Sequence, residues 1–255
     1  MLVAAAVCPC PPLLVPEVAA GAAPELDAAR AACADALGVL AAARPDRLVV
    51  VGPGDGAGLE AYPHGARGSF RGFGVDLEVS LGPDRGTQAE RAESVGTETV
   101  RTESERTEAE LPYGLAVGAW LLGRTGWADA PVEGIGVGED LPAERCAAIG
   151  RDTAARAGRV AMLVLGDASA CRTLKAPGYL DERAAPFDAE AGRALGAADV
   201  AALAALDVAL ARELKVSGRG PWQVLAGAAE DTDLAGALLY EDAPYGVGYI
   251  AATWS

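Results

Sequence analysis

The hydrophobic positions of this chain fall into short continuous runs more often than into alternations. Leu2–Val7, Leu48–Val51 and Val160–Leu165 are apolar throughout and bounded by turn formers, the pattern of strands buried on both faces. The first run stops at Cys8-Pro9-Cys10-Pro11-Pro12, the second at Gly52-Pro53-Gly54-Asp55-Gly56 and the third at Gly166-Asp167-Ala168-Ser169-Ala170-Cys171. Between the first two, Pro24-Glu25-Leu26-Asp27 opens a helix to about Ala43, with proline at a tolerated early position and acids in the first turn. Two such strands joined by one helix make a βαβ unit, whose sheet is parallel.

The rest of the chain continues in α/β order. Phe70–Leu81 alternates loosely and predicts a half-exposed strand. Pro112–Gly123 is an apolar helix, Val132–Val137 a strand and Pro142–Ala157 a helix. Helices are expected over Ala189–Leu195 and Val200–Leu214, and a shorter one from Pro221. Ala237–Glu241 and Gly246–Ala251 read as a C-terminal hairpin closing the sheet edge. Asp84–Glu110 stands apart: it has no aromatic, Leu or Ile and repeats Thr-Glu and Arg-Thr-Glu units. It reads as a disordered acidic insertion. No linker divides the remainder, so residues 1–255 are expected to form one domain with a central, mostly parallel sheet flanked by helices.

Charge and cysteine content narrow the classes of function. The formal net charge of −15 disfavours nucleic acid and anionic membrane surfaces, whose recognition is built on Lys and Arg. No apolar run reaches the ~20 residues a bilayer-spanning helix needs. Five cysteines are an odd number and do not read as a disulfide framework, which points to reduced thiols and a cytoplasmic location. Gly52, Gly54 and Gly56 follow a strand without the helix spacing of a dinucleotide site, and no Walker-type lysine or Gly-x-Ser-x-Gly elbow is present. Trp120, Trp127, Trp222 and Trp254 read as core or interface residues.

In open α/β sheets ligands bind outside the carboxyl ends of the strands. That geometry nominates Cys8, Cys10, Asp55, Asp167, Ser169 and Cys171 as neighbours in one pocket for a small-molecule ligand. The same residues also have a bland reading, in which the cysteines are small buried hydrophobes and the aspartates turn formers.

The strand-end loops carry a resemblance as well. Pro9-Cys10-Pro11-Pro12-Leu13-Leu14, Gly166-Asp167-Ala168-Ser169-Ala170-Cys171-Arg172 with the later Pro186-Phe187-Asp188, Trp222–Ala229, and Pro244-Tyr245-Gly246-Val247-Gly248-Tyr249 occur in the order and spacing of a known family. The chain resembles the LigB type of class III extradiol dioxygenases, the fold shared with the Memo proteins, over nearly its whole length except Asp84–Glu110. The resemblance implies Fe(II) held by two histidines and a carboxylate, with a further histidine as acid/base in cleavage of an aromatic ring. This sequence departs at each position: Cys10 stands for the first histidine, Asp55 or a neighbour for the second, Ala170 for the acid/base, and Ser217-Gly218 for the late ligand. With His64 the single histidine of the chain, a two-histidine site cannot be assembled within it.

Three readings stay open. Thiolates at Cys8, Cys10 and Cys171, with Asp55 and His64, would select Zn(II) or Cu(I) over iron. Cys10 or Cys171 would instead be the nucleophile of a metal-free enzyme, with Asp167 in the same site and Arg172 and Lys175 nearby in sequence. Or the pocket is kept for binding alone, a small molecule or a protein partner; homo-oligomer formation is left open. Under each of them, protein supplied with Fe(II) is expected to yield no yellow ring-fission product from a catechol. Colour above a protein-free blank would overturn that.

Overall fold

The parallel strands are buried on both faces, so their side chains must satisfy two layers at once. In the computed structural model, which describes residues 1–83 and 110–255, β1 (Leu2–Cys8) begins the sheet and Ala4, Ala6 and Cys8 face one layer while Ala5 and Val7 face the other. A short α1 (Pro16–Ala19) and a 3₁₀ segment lead to α2 (Asp27–Ala42), which turns Ala29, Ala32, Cys33, Ala36, Leu37 and Leu40 inward at helical spacing. Then come β2 (Arg47–Pro53), β3 (Leu59–Tyr62), β4 (Arg67–Ser69), β5 (Glu78–Ser80), α3 (Tyr113–Thr125), β6 (Val132–Val137), α4 (Ala143–Ala154) and β7 (Val160–Leu165). Four further helices, α5 (Ala184–Gly196), α6 (Val200–Ala204), α7 (Val208–Glu213) and α8 (Arg219–Ala229), precede the hairpin of β8 (Gly236–Asp242) and β9 (Tyr249–Trp254).

The main sheet has seven strands in the order β3-β6-β2-β7-β1-β9-β8. β6, β2, β7 and β1 run parallel, and β3 at one edge and β9 with β8 at the other run antiparallel. Helices α2 and α3 cover one face, and α4, α5 and α8 the other. This is the single-domain α/β architecture with a C-terminal hairpin that the hydrophobic runs predict. No helix among the described residues is long and apolar enough to cross a membrane.

Three expectations need correction or fall outside the structure. Phe70–Leu81 is not one strand: only Glu78–Ser80 is extended, paired with β4 in a separate two-stranded ribbon, and Arg71–Phe73 form a 3₁₀ turn closed by Gly74 at φ 83°. Val200–Leu214 is two helices, because Asp199 and Asp207 each cap a new start, accepting the Ala202 and Leu210 N–H at 3.0 and 2.7 Å. The expected acidic insertion, Asp84–Glu110, lies outside the described residues except for Glu110.

Where α4 crosses α8, backbone meets backbone. A Cβ added to Gly150 would lie 2.0 Å from the Val224 carbonyl oxygen, and one on Gly227 2.1 Å from that of Ala147. Gly38 on α2 has open space instead. Alanine is the better helix former at both positions, by about 0.5–1 kcal/mol. Gly38→Ala is therefore expected to stabilise the protein by about that amount, whereas Gly227→Ala should destabilise it by ~1–3 kcal/mol because the clash outweighs propensity. Urea unfolding of both variants checks the opposite signs.

Candidate functional site

The carboxyl ends of β1, β2, β6 and β7 converge with the N-terminus of α8. Between them opens a cleft of about 330 Å³, lined by residues including Pro53, Gly54, Tyr113, Val137, Ser217 and Gly220. Glycines permit this approach: a Cβ on Gly54 would stand 3.0 Å from the Gly136 carbonyl carbon, and one on Gly114 2.7 Å from the Pro53 ring.

Asp167, in the loop leaving β7, is the chemical centre of this end. Its Oδ1 accepts the Cys10 backbone N–H at 2.8 Å, tying the loop after β1 to the loop after β7. Its own N–H donates to Ser217 Oγ at 2.9 Å, and its carbonyl accepts the Gly218 N–H at 2.9 Å. Part of the residue keeps contact with solvent. The protein packed around it nevertheless solvates a charge poorly, and burial pushes its carboxyl up to about 7 against the opposing pull of the Cys10 N–H.

The neighbours are neutral donors and acceptors. The Ser217 hydroxyl lies beside the Tyr113 phenol and the Cys10 thiol and partly offsets the upward push on both. Burial, with smaller contributions from Asp167 and Cys10, holds both Tyr113 and Tyr249 well above the usual tyrosine range. Tyr249 opens β9 beside the end of β1 and is 2% exposed. Burial, and then the Asp167 charge, raise the Cys10 thiol, so it stays protonated near neutral pH.

The residues singled out from sequence are only partly gathered. Cys10 and Asp167 meet as the strand-end geometry implies, and Asp55 is exposed at the rim, close enough to act electrostatically on Tyr113. Cys171 does not join them. It lies in the apolar layer on the other side of the sheet, with its thiol donating to the Leu214 carbonyl at 3.5 Å, so Cys10 and Cys171 share no pocket. Burial raises its thiol too, with Asp181 adding to the effect. Ser169 is fully buried and structural: its N–H and Oγ both donate to Asp188 at 2.8 Å, and Arg172 closes the cluster with a 2.9 Å ion pair to the same carboxylate.

The metal set of Cys8, Cys10, Asp55 and His64 is not assembled. Cys8 points into the α2 layer, where a hydrogen bond to the Cys33 thiol, then burial, raises its own thiol. His64 accepts the Val132 N–H on Nδ1 at 3.3 Å and donates from Nε2 to the Pro83 carbonyl at 3.0 Å, so both ring nitrogens are already used. Val132 starts β6 and Val137 ends it beside the cleft, so His64 and Cys10 stand towards opposite ends of the sheet, separated by at least the length of that strand, roughly 16 Å at 3.3 Å per residue. Among the described residues no three His, Cys, Asp or Glu side chains converge to hold a metal ion. Nor does the two-histidine, one-carboxylate iron centre implied by the resemblance fit, because the cleft end supplies a protonated thiol, a carboxyl, a hydroxyl and two phenols but no imidazole.

Among the larger hollows elsewhere are two of about 540 and 650 Å³. The first runs between β5 and α3 beside Trp120 and Trp127 and is largely apolar; the second surrounds His64 and the mutually paired Arg47, Glu133 and Arg156. Neither gathers acid–base groups as the strand-end cleft does, so size does not locate the chemistry here. Tyr113 and Tyr249 escaped sequence reasoning, being absorbed into an apolar helix and a closing strand; Ser217 was placed at the right end but discounted because a hydroxyl makes a poor metal ligand.

No family model and no curated protein matches the chain. Among solved structures, it is similar to the crystal structure of uncharacterized protein JW3007 from Escherichia coli K12 at 15% sequence identity and a TM-score of 0.54, with 99% of this chain and 100% of that chain covered. At this identity the likeness is one of fold, and what the chain shares with that protein is the α/β architecture.

Proposed function

We propose that the strand-end cleft is the active site of a small-molecule enzyme on a class III extradiol dioxygenase-like scaffold, working by proton transfer rather than iron-dependent ring cleavage. The observation that carries the reading is Asp167, a half-buried residue at the same strand ends as the cleft, whose carboxyl is pushed by burial up to about 7. A general acid or base is most effective when its pKa lies near the working pH, and shifts of this kind concentrate at functional sites. Asp167 would exchange the proton, while Tyr113 and Ser217 on the cleft wall orient a polar substrate by hydrogen bonding. The geometry favours carboxyl over thiol chemistry, because Cys10 and Cys171 are both driven towards the protonated form and no base activates either.

The sign of the pH dependence follows from the direction of the shift. A carboxyl whose folded pKa lies above its unfolded value stabilises the fold at low pH and loses that contribution as pH rises through the folded pKa. Stability of the wild type is therefore expected to fall between about pH 4 and 7 through this group, and Asp167→Asn should flatten that fall. Denaturant unfolding at several pH values reads it, and NMR titration of the Asp167 carboxyl carbon gives the midpoint directly. A midpoint near 4 would remove the acid–base reading and leave a cleft that only binds. Tyr113→Phe is expected to keep the Asp167 midpoint within about one unit, since the phenol contributes a neutral dipole and no charge at pH 7.

A further inference from the structure

The cleft wall carries two cations that form no ion pair with a carboxylate among the described residues. Arginines elsewhere in this acidic chain commonly find one: Arg30, Arg47, Arg71, Arg151, Arg156, Arg172, Arg183, Arg193 and Arg212 all form ion pairs. Arg219 and Lys215, which both line the cleft, have none among the described residues. Arg219 is only 2% exposed, yet its guanidinium donates to neutral acceptors, the Glu139 and Leu141 carbonyls and Gln223 Oε1. Those bonds go to neutral groups and leave its charge uncompensated, and a buried charge without a counter-charge is costly. Arg219 is also the first residue of α8, an eleven-residue helix whose start has no side-chain cap, so the positive end of the helix dipole adds to the same field. Lys215 sits at the rim at φ 58°, the left-handed position that ends α7. Glu139 also lines the cleft and Asp55 lies near it, but both are exposed to solvent, where their charges are screened.

We infer that this cleft binds the oxyanion of a small organic acid, its charged group held by Lys215, the Arg219 charge and the start of α8, with the rest of the molecule between the apolar walls of Pro53, Val137 and Pro221. The inference rests on the reading of the cleft as the functional site and adds the class of ligand it takes. A single cation at the rim would be ordinary surface; a buried guanidinium with no counter-charge under the same opening is what an anionic ligand would complete. The uncharged inner groups Tyr113 and Ser217 then face the uncharged part of that ligand.

Calorimetric titration of the full-length protein at pH 7 tests this with three probes of one shape: benzoate, phenyl phosphate and neutral benzamide. At least one anion is expected to bind tenfold or more tightly than benzamide, and the ratio of the two anions decides between a carboxylate and a phosphate. Lys215→Glu should abolish that preference, and Lys215→Gly, which suits the backbone at this position, should weaken it several-fold while circular dichroism shows an intact fold. Anions bound no better than benzamide, or a preference unchanged in both variants, would overturn the proposal. An Asp167 midpoint near 7 with no anion preference would leave the proton-transfer reading standing without this one. Lys215-dependent benzoate binding with an Asp167 midpoint near 4 would do the reverse.

Discussion

Parallel pairing of β6, β2, β7 and β1 is the constraint from which the rest follows. A parallel strand must be re-entered from the same end, so each carboxyl end delivers its loop to one edge of the sheet. The chain leaving Cys8, Pro53, Val137 and Leu165 is thereby gathered without any attraction between those loops. A short set of hydrogen bonds then fixes their mutual geometry: Asp167 holds the Cys10 N–H, the Ser217 hydroxyl and the Gly218 N–H. One residue, through its carboxyl and its backbone together, laces the walls of the cleft.

That double duty explains the electrostatics. A carboxylate with several donors would ordinarily sit low, but Asp167 receives one backbone N–H and is otherwise faced by a thiol and phenols that gain nothing from ionising beside it. Desolvation wins. Lys215 and Arg219 line the cleft but form no ion pair among the described residues, so neither neutralises the acid.

The central sheet was legible because burial on both faces leaves uninterrupted apolar runs such as Val49-Val50-Val51 and Val160–Leu165. The ribbon of β4 and β5 was not, since three-residue strands with exposed side chains carry no periodicity. Asp167 and Cys10 could be placed together from strand ends alone. Cys171 could not be separated from them, because only the path of the loop after β7 shows that it drops into the opposite layer. His64 failed for a related reason: a loop histidine has no strand register to say which end of the sheet it serves. Tyr113 was hidden by its own helix, where one polar tip on an apolar stretch looks like an ordinary core tyrosine.

All five thiols are fully or almost fully buried, and they are spread over β1, the turn that follows it, α2, α4 and the loop after β7. A disulfide reagent in water can reach none of them until the surrounding element opens, so the rate at which each is labelled reports the free energy of that opening. The native sequence thus carries its own set of positioned gauges, able to show whether the layer of α2 and the layer of α4 come apart together or in turn.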